Sequence, residues 1–133
     1  MGERGATRVT NGVIFQAPPA PQGATTVTIL NGASLSGVAD LRTIGVPVGL
    51  QMDAAWDTNA VSFQGSYDGA VYTDLRINGA EVSLAGVVAS SMEGLDPYSF
   101  MACRYLKVRS GTSAAPVNQV GNTIVTIIAK PMI

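Results

Sequence analysis

The sequence contains no histidine and only one cysteine, Cys103, among its 133 residues. The lack of histidine excludes Ser-His-Asp and Cys-His catalysis and removes the commonest metal ligand in proteins. A single cysteine excludes an internal disulfide bond and a zinc site made of several thiolates. Because Cys103 lies in the apolar segment FMACRYL, we expect it to be a small core residue and not a nucleophile.

Charged side chains and long apolar runs are also scarce. Asp, Glu, Lys and Arg make up 13% of the chain and the formal net charge is −1, whereas an average soluble domain is roughly 25% charged. Hydrophobic residues make up 47%, yet no run reaches the ~18 apolar residues of a membrane helix, and the start of the chain does not resemble a signal peptide. We therefore expect a soluble, unsecreted protein that binds neither nucleic acid nor membranes.

The first 23 residues differ in composition from the rest. Three glycines fall within the first twelve positions, and Pro18, Pro19 and Pro21 follow. Such prolines favour extended backbone and exclude a helix or a central strand, so we predict an extended N-terminal arm at residues 1–23 and one domain at residues 24–133. The arm carries more large apolar residues than a solvated tail, so we expect it to lie on another surface; the alternative is a partly disordered terminus. The expected anchors are Val9, Val13, Ile14 and Phe15.

From residue 24 onward the chain consists of short β-prone segments separated by turn residues. The clearest signal is a hairpin in which strands at 60–66 and 71–75 flank the turn Tyr67-Asp68-Gly69. Further strands are expected at 26–30, 47–52, 81–84, 86–89, 104–109 and 122–129, with a turn at 53–57 and a loop at 93–97. The last strand is apolar on both faces, so it should be central or at an interface. About eight strands without helical periodicity predict an all-β fold, an antiparallel two-sheet β-sandwich of the jelly-roll type, with an open barrel as the alternative.

Acidic residues offer the only candidates for catalysis or metal binding. Asp53 and Asp57 flank Trp56, but this spacing places them side by side, whereas a glycosidase needs two acids facing each other across a cleft. Asp68 and Asp74 could add oxygen ligands for Ca²⁺, although no known ligand spacing is present. Acidic loop residues usually form turns and caps. We therefore predict no enzyme activity and no catalytic, metal or cofactor site.

Exposed aromatic residues are the remaining candidates for ligand contact. Trp56 is the only tryptophan; it is interpreted here as a hydrophobic plug at one end of the sandwich, and alternatively as a ring that stacks on a sugar together with Tyr67. Tyr105, Lys107 and Arg109 share the outward parity of one strand, with Leu106 and Val108 pointing inward. Two cations are too few for a nucleic-acid stripe, so a solvated strand face is favoured there.

Three segments carry a resemblance to known proteins: VGLQMDAAW at 48–56, VSFQGSYDG at 61–69 and RYLKVRSGTS at 104–113. Over about residues 24–128 the chain resembles small β-sandwich structural proteins of tailed bacteriophages, of the capsid decoration (cement) or head-fibre type. The Ser-x-Asp-Gly turn and the Arg-Tyr-Leu-Lys strand are similar to those of discoidin-type jelly rolls.

That resemblance implies a non-enzymatic virion protein, made in the host cytoplasm, that binds the capsid surface and stabilises it. Its partners would be the major capsid protein and further copies of itself, as a homotrimer. The alternative that the resemblance also implies is a head-fibre or tail adsorption module that binds a host glycan through Trp56 and Tyr67.

Overall fold

The structure is a computed structural model that describes residues 23–131 in full and, before them, the backbone of two short strands, β1 (Arg8–Thr10) and β2 (Val13–Phe15). β1 and β2 pair antiparallel, with Val9 opposite Ile14. The remaining elements are β3 (Gly23–Ile29), β4 (Ala39–Asp40), β5 (Val46–Met52), β6 (Asn59–Ser66), β7 (Thr73–Asp74), β8 (Arg76–Ile77), β9 (Ala80–Glu81), β10 (Ser83–Val87), β11 (Met92–Gly94), a 3₁₀ helix (Pro97–Phe100), β12 (Tyr105–Ser110) and β13 (Thr123–Lys130).

Eight of these strands form two antiparallel sheets that pack face to face. Sheet I has the order β11-β5-β13-β3, and sheet II has the order β10-β6-β12-β4, with β7 also paired to β6. The eight strands are β3, β4, β5, β6, β10, β11, β12 and β13, counted in chain order without β7, β8 and β9. The first, eighth, third and sixth of them form sheet I, and the second, seventh, fourth and fifth form sheet II. This alternation of the chain between two sheets is the jelly-roll arrangement. The predicted all-β sandwich is therefore confirmed.

The core lies between the two sheets, and burial alternates strictly along β13 and over the first half of β12. Leu106 and Val108 of β12 are fully buried, as are Val125 and Ile127 of β13. Phe63 of β6 contacts Phe100 at the end of the 3₁₀ helix, with ring centroids 4.9 Å apart and the planes at 90°. An edge-to-face contact of this kind is favourable for two aromatic rings. Val27, Ile29, Leu50, Met52, Val61 and Val87 complete the centre of the core.

Several expectations about single strands can be compared with this fold. β6 and β7 form the predicted hairpin, with Gln64 opposite Asp74. β13 is central in sheet I, between β5 and β3, as predicted. The loop predicted at 93–97 is wrong in part, because Met92–Gly94 forms β11 and pairs with the edge of β5. Backbone hydrogen bonds to β5 hold this three-residue segment, and its composition alone did not indicate them.

Candidate interaction surfaces

The outward face of sheet II carries many of the charges of the sandwich. The register places Asp40 opposite Tyr105, and Lys107 beside Gln64, which in turn faces Asp74. Arg109 has the same outward parity on β12. Tyr105, Lys107 and Arg109 therefore point away from the core, as predicted. The expected solvated face is wrong for Arg109, because acidic partners bury its side chain.

Arg109 is held by a buried group of polar contacts. Its side chain is 8% exposed, and the guanidinium pairs with the carboxylates of Asp74 and Glu81 and donates to the Ser62 hydroxyl at 3.2 Å. The Glu81 carboxylate also accepts the Ser113 backbone N–H at 2.9 Å. The hydrogen bond from Arg109 is the main cause that lowers the pKa of Asp74 below its usual 3.8. Arg109 and the two carboxylates satisfy one another, so this part of the face stabilises the fold and offers no free charge to a partner.

Three tyrosines on the same side of the molecule lie against cations. Besides its contact with a cation, Tyr105 packs on Gly69, where an added Cβ would come within 3.1 Å of the tyrosine ring. Desolvation, followed by the charge interaction with Tyr105, raises the pKa of Tyr72. The cation-to-centroid distances are 5.2 Å for Arg42 and Tyr105, 4.7 Å for Arg104 and Tyr67, and 4.4 Å for Lys107 and Tyr72. Contacts of this kind hold long side chains to the protein's own surface.

The outward face of sheet I has the opposite character. Its outward positions are occupied by Thr, Ile, Met, Gln, Ala and Gly, and the first charge of that parity along β13 is Lys130, at the end of the strand. We call this surface the uncharged face. It consists of Ala24, Thr26, Thr28, Gly49, Gln51, Met92, Gly94, Ile124, Thr126 and Ile128.

The uncharged face is partly apolar and carries a depression. The side chain of Ile128 lies over Gly49, where an added Cβ would contact it at 3.8 Å. Ile124 is 46% exposed and Met92 is 65% exposed. A shallow depression of about 260 Å³ is lined by Gln51, Ile124 and Thr126 together with Met52 and Asp53. Large apolar side chains around a depression on an uncharged sheet are typical of a surface that another chain covers.

Trp56 lies inside the sandwich. It is 2% exposed, and its indole N–H donates to the backbone carbonyl of Val87 at 2.8 Å. The ring therefore occupies the position of a hydrophobic plug and presents no face to a sugar in this conformation. Tyr67, the other residue of the glycan alternative, is 70% exposed and lies at the surface beside Arg104.

The acidic residues considered for catalysis or cation binding tie loops together. Asp53 accepts the backbone N–H of Ala55 at 3.0 Å and that of Ile124 at 2.8 Å. Asp57 accepts the backbone N–H of Val120 at 3.1 Å. Asp68 accepts two backbone N–H groups in the hairpin turn, which lower its pKa. These are the turn-forming and capping roles that the sequence favoured.

Cys103 is half-buried beside the β6 strand, where an added Cβ at Gly65 would come within 2.6 Å of its Sγ. Burial raises the pKa of its thiol to about 11. Among residues 23–131 no three Asp, Glu or Cys side chains lie close enough to hold a metal ion together. In the same part of the chain, no helix has the length and apolarity required to cross a bilayer.

The predicted arm anchors belong to the N-terminal hairpin. Val9 lies in β1, and Val13, Ile14 and Phe15 lie in β2. Only their backbone is described, so the contacts expected of their side chains lie outside the described part of the chain.

Comparison with known proteins adds no relative. The chain matches no protein-family model, and no curated protein matches it.

The sequence analysis did not identify the uncharged face as a candidate interaction surface. One signal for it was present, because residues 122–129 are apolar on both parities. That pattern predicted a covered outer face for β13, and the structure places the partly exposed Ile124 and Ile128 there. The threonines and glycines of β3 and β5 that complete the face carry no such signal, since they join β13 only through sheet pairing.

Proposed function

We propose that this protein is a non-enzymatic structural component of a bacteriophage virion, which binds the outer surface of the capsid as a cement protein and stabilises the shell. The observation that carries the proposal is the uncharged face of sheet I, opposite a face whose charges pair among themselves. The resemblance of residues 48–56, 61–69 and 104–113 to phage structural proteins supplies the kind of assembly.

The two outer faces suit this role for a physical reason. A cement protein must stay dissolved before assembly and then bury surface against capsid subunits or its own copies. The paired charges and cation-bound tyrosines of sheet II keep that side hydrated. The side chains of the uncharged face lose little on desolvation, because hydroxyl, amide and methyl groups are easier to remove from water than unpaired ions.

The chain is proposed to act as a homotrimer whose partner is the major capsid protein, and to reside on the virion after synthesis in the host cytoplasm. No reaction is proposed, because the acidic side chains considered for catalysis support turns or pair with Arg109. Three copies joined in one unit bind a shell more tightly than one, since each further contact forms within the complex.

The experiment is co-sedimentation of purified protein with capsids assembled without it. The wild-type chain should saturate the shell at a fixed ratio to the capsid subunit. Thr126→Asp places a charge on the uncharged face and should abolish attachment, whereas Ser83→Asp, an equal change at an exposed position of sheet II, should leave it intact. Removal of residues 1–22, which ends before β3, should also abolish attachment. If both aspartate variants bind like wild type, or only a few copies bind per particle, the cement function is refuted.

A glycan-binding module of a head fibre or tail is the second candidate, favoured by the exposure of Tyr67. Because Trp56 is buried, Tyr67 with Arg104 would have to carry the contact. On a glycan array, Tyr67→Ala should then lose binding while Tyr98→Ala, a ring that is 71% exposed elsewhere on the molecule, retains it. Retained binding in Tyr67→Ala, or no binding by the wild type, would refute this candidate.

A further inference from the structure

The uncharged face is too small to hold two copies together by itself. β13 has eight residues, about 26 Å at ~3.3 Å per residue, and four strands at a spacing of ~4.8 Å span about 14 Å. Their product is roughly 400 Å², about half of the ~800 Å² that each partner buries in a stable interface. Another element must therefore add to the contact if this face joins copies.

The N-terminal hairpin is an element that itself needs support. β1 and β2 have three residues each, and an isolated two-stranded hairpin is marginally stable in water. The segment from residue 9 to residue 22 contains no charged side chain, and residues 9–15 include four large apolar ones. Arg8 is the one charged residue of the two hairpin strands, and Asp53 is the one carboxylate that lines the depression of the uncharged face, so docking would desolvate few ions.

The chain connects the hairpin to the sheet that carries this face. Residue 15 ends β2 and Gly23 begins β3, the edge strand of sheet I. The seven residues between them reach about 22 Å at ~3.1 Å per residue in polyproline geometry. Three of the seven are prolines, and such a sequence favours extended backbone over the tight reversal that a return to the chain's own sheet would need.

We propose that the β1–β2 hairpin of one copy docks on the uncharged face of a second copy of this chain, so that this face supports capsid attachment through the oligomer it builds and not by its own contact with the shell. The depression beside Ile124 and Thr126 receives an apolar side chain of the hairpin. Each copy gives its hairpin to one neighbour and its face to another, so each copy buries roughly 800 Å² in total over two contacts, and closure of the assembly strengthens each of these small contacts. A head-to-tail contact gives a ring where its rotation closes and an open filament where it does not; that it closes, with three members, rests on the proposed function.

Disulfide trapping between single-cysteine full-length chains tests this arrangement. Each chain carries Cys103→Ser together with either Ile14→Cys in β2, Thr126→Cys on the uncharged face or Ser83→Cys on sheet II. Pairs of chains are mixed, allowed to exchange subunits and oxidised. We expect a disulfide between the Ile14→Cys and Thr126→Cys chains, and at least about tenfold less between the Ile14→Cys and Ser83→Cys chains, a difference that corresponds to about 1.4 kcal/mol in local association.

Two results would overturn the proposal. Disulfides formed chiefly between two Thr126→Cys chains would show that the faces dock on each other. A single chain that carries both Ile14→Cys and Thr126→Cys and closes on itself as a monomer would show that the hairpin covers its own sheet.

Light scattering on full-length protein without capsids provides the second test. The wild type should form a closed oligomer, Ile14→Asp should be monomeric, and Gln22→Asp, with the same charge outside the hairpin, should remain oligomeric. Because the hairpin lies outside the sandwich, thermal unfolding should show the fold intact in both variants. A wild type that is monomeric at tens of micromolar, or an Ile14→Asp oligomer like wild type, would overturn the proposal. Oligomers that form as described but do not bind capsids would refute the cement function alone.

Discussion

Replacement of Arg109 by methionine tests whether the polar group on sheet II is structural. Arg109→Met keeps most of the aliphatic volume and removes three contacts, to Asp74, Glu81 and Ser62. Removing one partner of a fully buried ion pair costs about 3–5 kcal/mol. Here the carboxylate side chains are 39% and 18% exposed, so water can hydrate both after the change, and we expect a loss of about 2–3 kcal/mol.

Urea denaturation at pH 7 measures this loss as a lower midpoint at unchanged slope. For a domain of this length, about 3 °C per kcal/mol gives a fall in Tm of roughly 6–10 °C. Arg109→Lys, which keeps the charge but cannot bridge three partners, should lose less than the methionine variant. A loss below about 0.5 kcal/mol for Arg109→Met would refute the structural role, since it would lie in the range of ordinary surface changes.

The difference in the free energy of unfolding between wild type and Arg109→Met should depend on pH, and the sign of this dependence follows from the pKa of Asp74. Arg109 lowers the pKa of Asp74 in the folded state from 3.8, so the folded chain binds fewer protons there than the unfolded chain. The resulting stabilisation is present above pH 3.8 and is lost as the pH falls through the lower, folded pKa. The gap in stability between wild type and Arg109→Met should therefore narrow below about pH 4. Asp40, whose pKa is lowered to about 2 by Arg42, is the same in both proteins and cancels. A gap that stays constant down to pH 2 would contradict the assignment.

Three further predictions concern the interior. Trp56→Phe leaves the Val87 carbonyl without its donor inside the core and should cost about 1–3 kcal/mol in urea unfolding; a variant as stable as wild type would contradict the plug role. Gly65→Ala places a Cβ 2.6 Å from the Sγ of Cys103 and should lower the free energy of unfolding by about 1–3 kcal/mol. Cys103→Ala in the same chain should restore part of this stability. Equal losses of stability in the single and double variants would exclude the clash. Because burial raises the pKa of Cys103 to about 11, iodoacetamide at pH 7.5 should alkylate it much more slowly in native protein than in urea by mass spectrometry; equal rates would show that the thiol is open to solvent.

The sequence was informative wherever a strand alternates by itself. In β12 the parity of Leu106 and Val108 fixed which residues lie inside, because a strand of this length has only two faces. The Asp68-Gly69 turn indicated the β6–β7 hairpin, but pairing begins only at Gly65 and Thr73, beyond a longer loop than the turn predicts. The sheet membership of β13 also followed, since a segment apolar on both parities is unfavourable at a solvated edge.

What remained unpredicted depends on contacts between distant segments. β4 and β11 are two and three residues long, and their strand character comes from the pairing partner and not from composition. The indole of Trp56 and the carbonyl of Val87 are 31 positions apart, and the carboxylate of Asp53 bonds the Ile124 N–H across 71. A local sequence pattern cannot predict hydrogen bonds between residues so far apart in the chain. The uncharged face is a case of the same kind, because four strands from different parts of the chain compose it.

The two outer faces of the sandwich differ in what docking on them would cost. If sheet II were the assembly surface, its cations would have to exchange Asp74, Glu81 and the tyrosine rings for groups on a partner, and the partner would gain little over the contacts already made. Among the described residues, the side chains of the uncharged face form no ion pair that docking would have to break, so docking there costs less in desolvation than docking on sheet II. Arg109→Met should therefore lower stability without changing the oligomeric state in dilute buffer, and Thr126→Asp should change the oligomeric state with little effect on unfolding. The reverse pattern in light scattering and urea unfolding would assign assembly to sheet II.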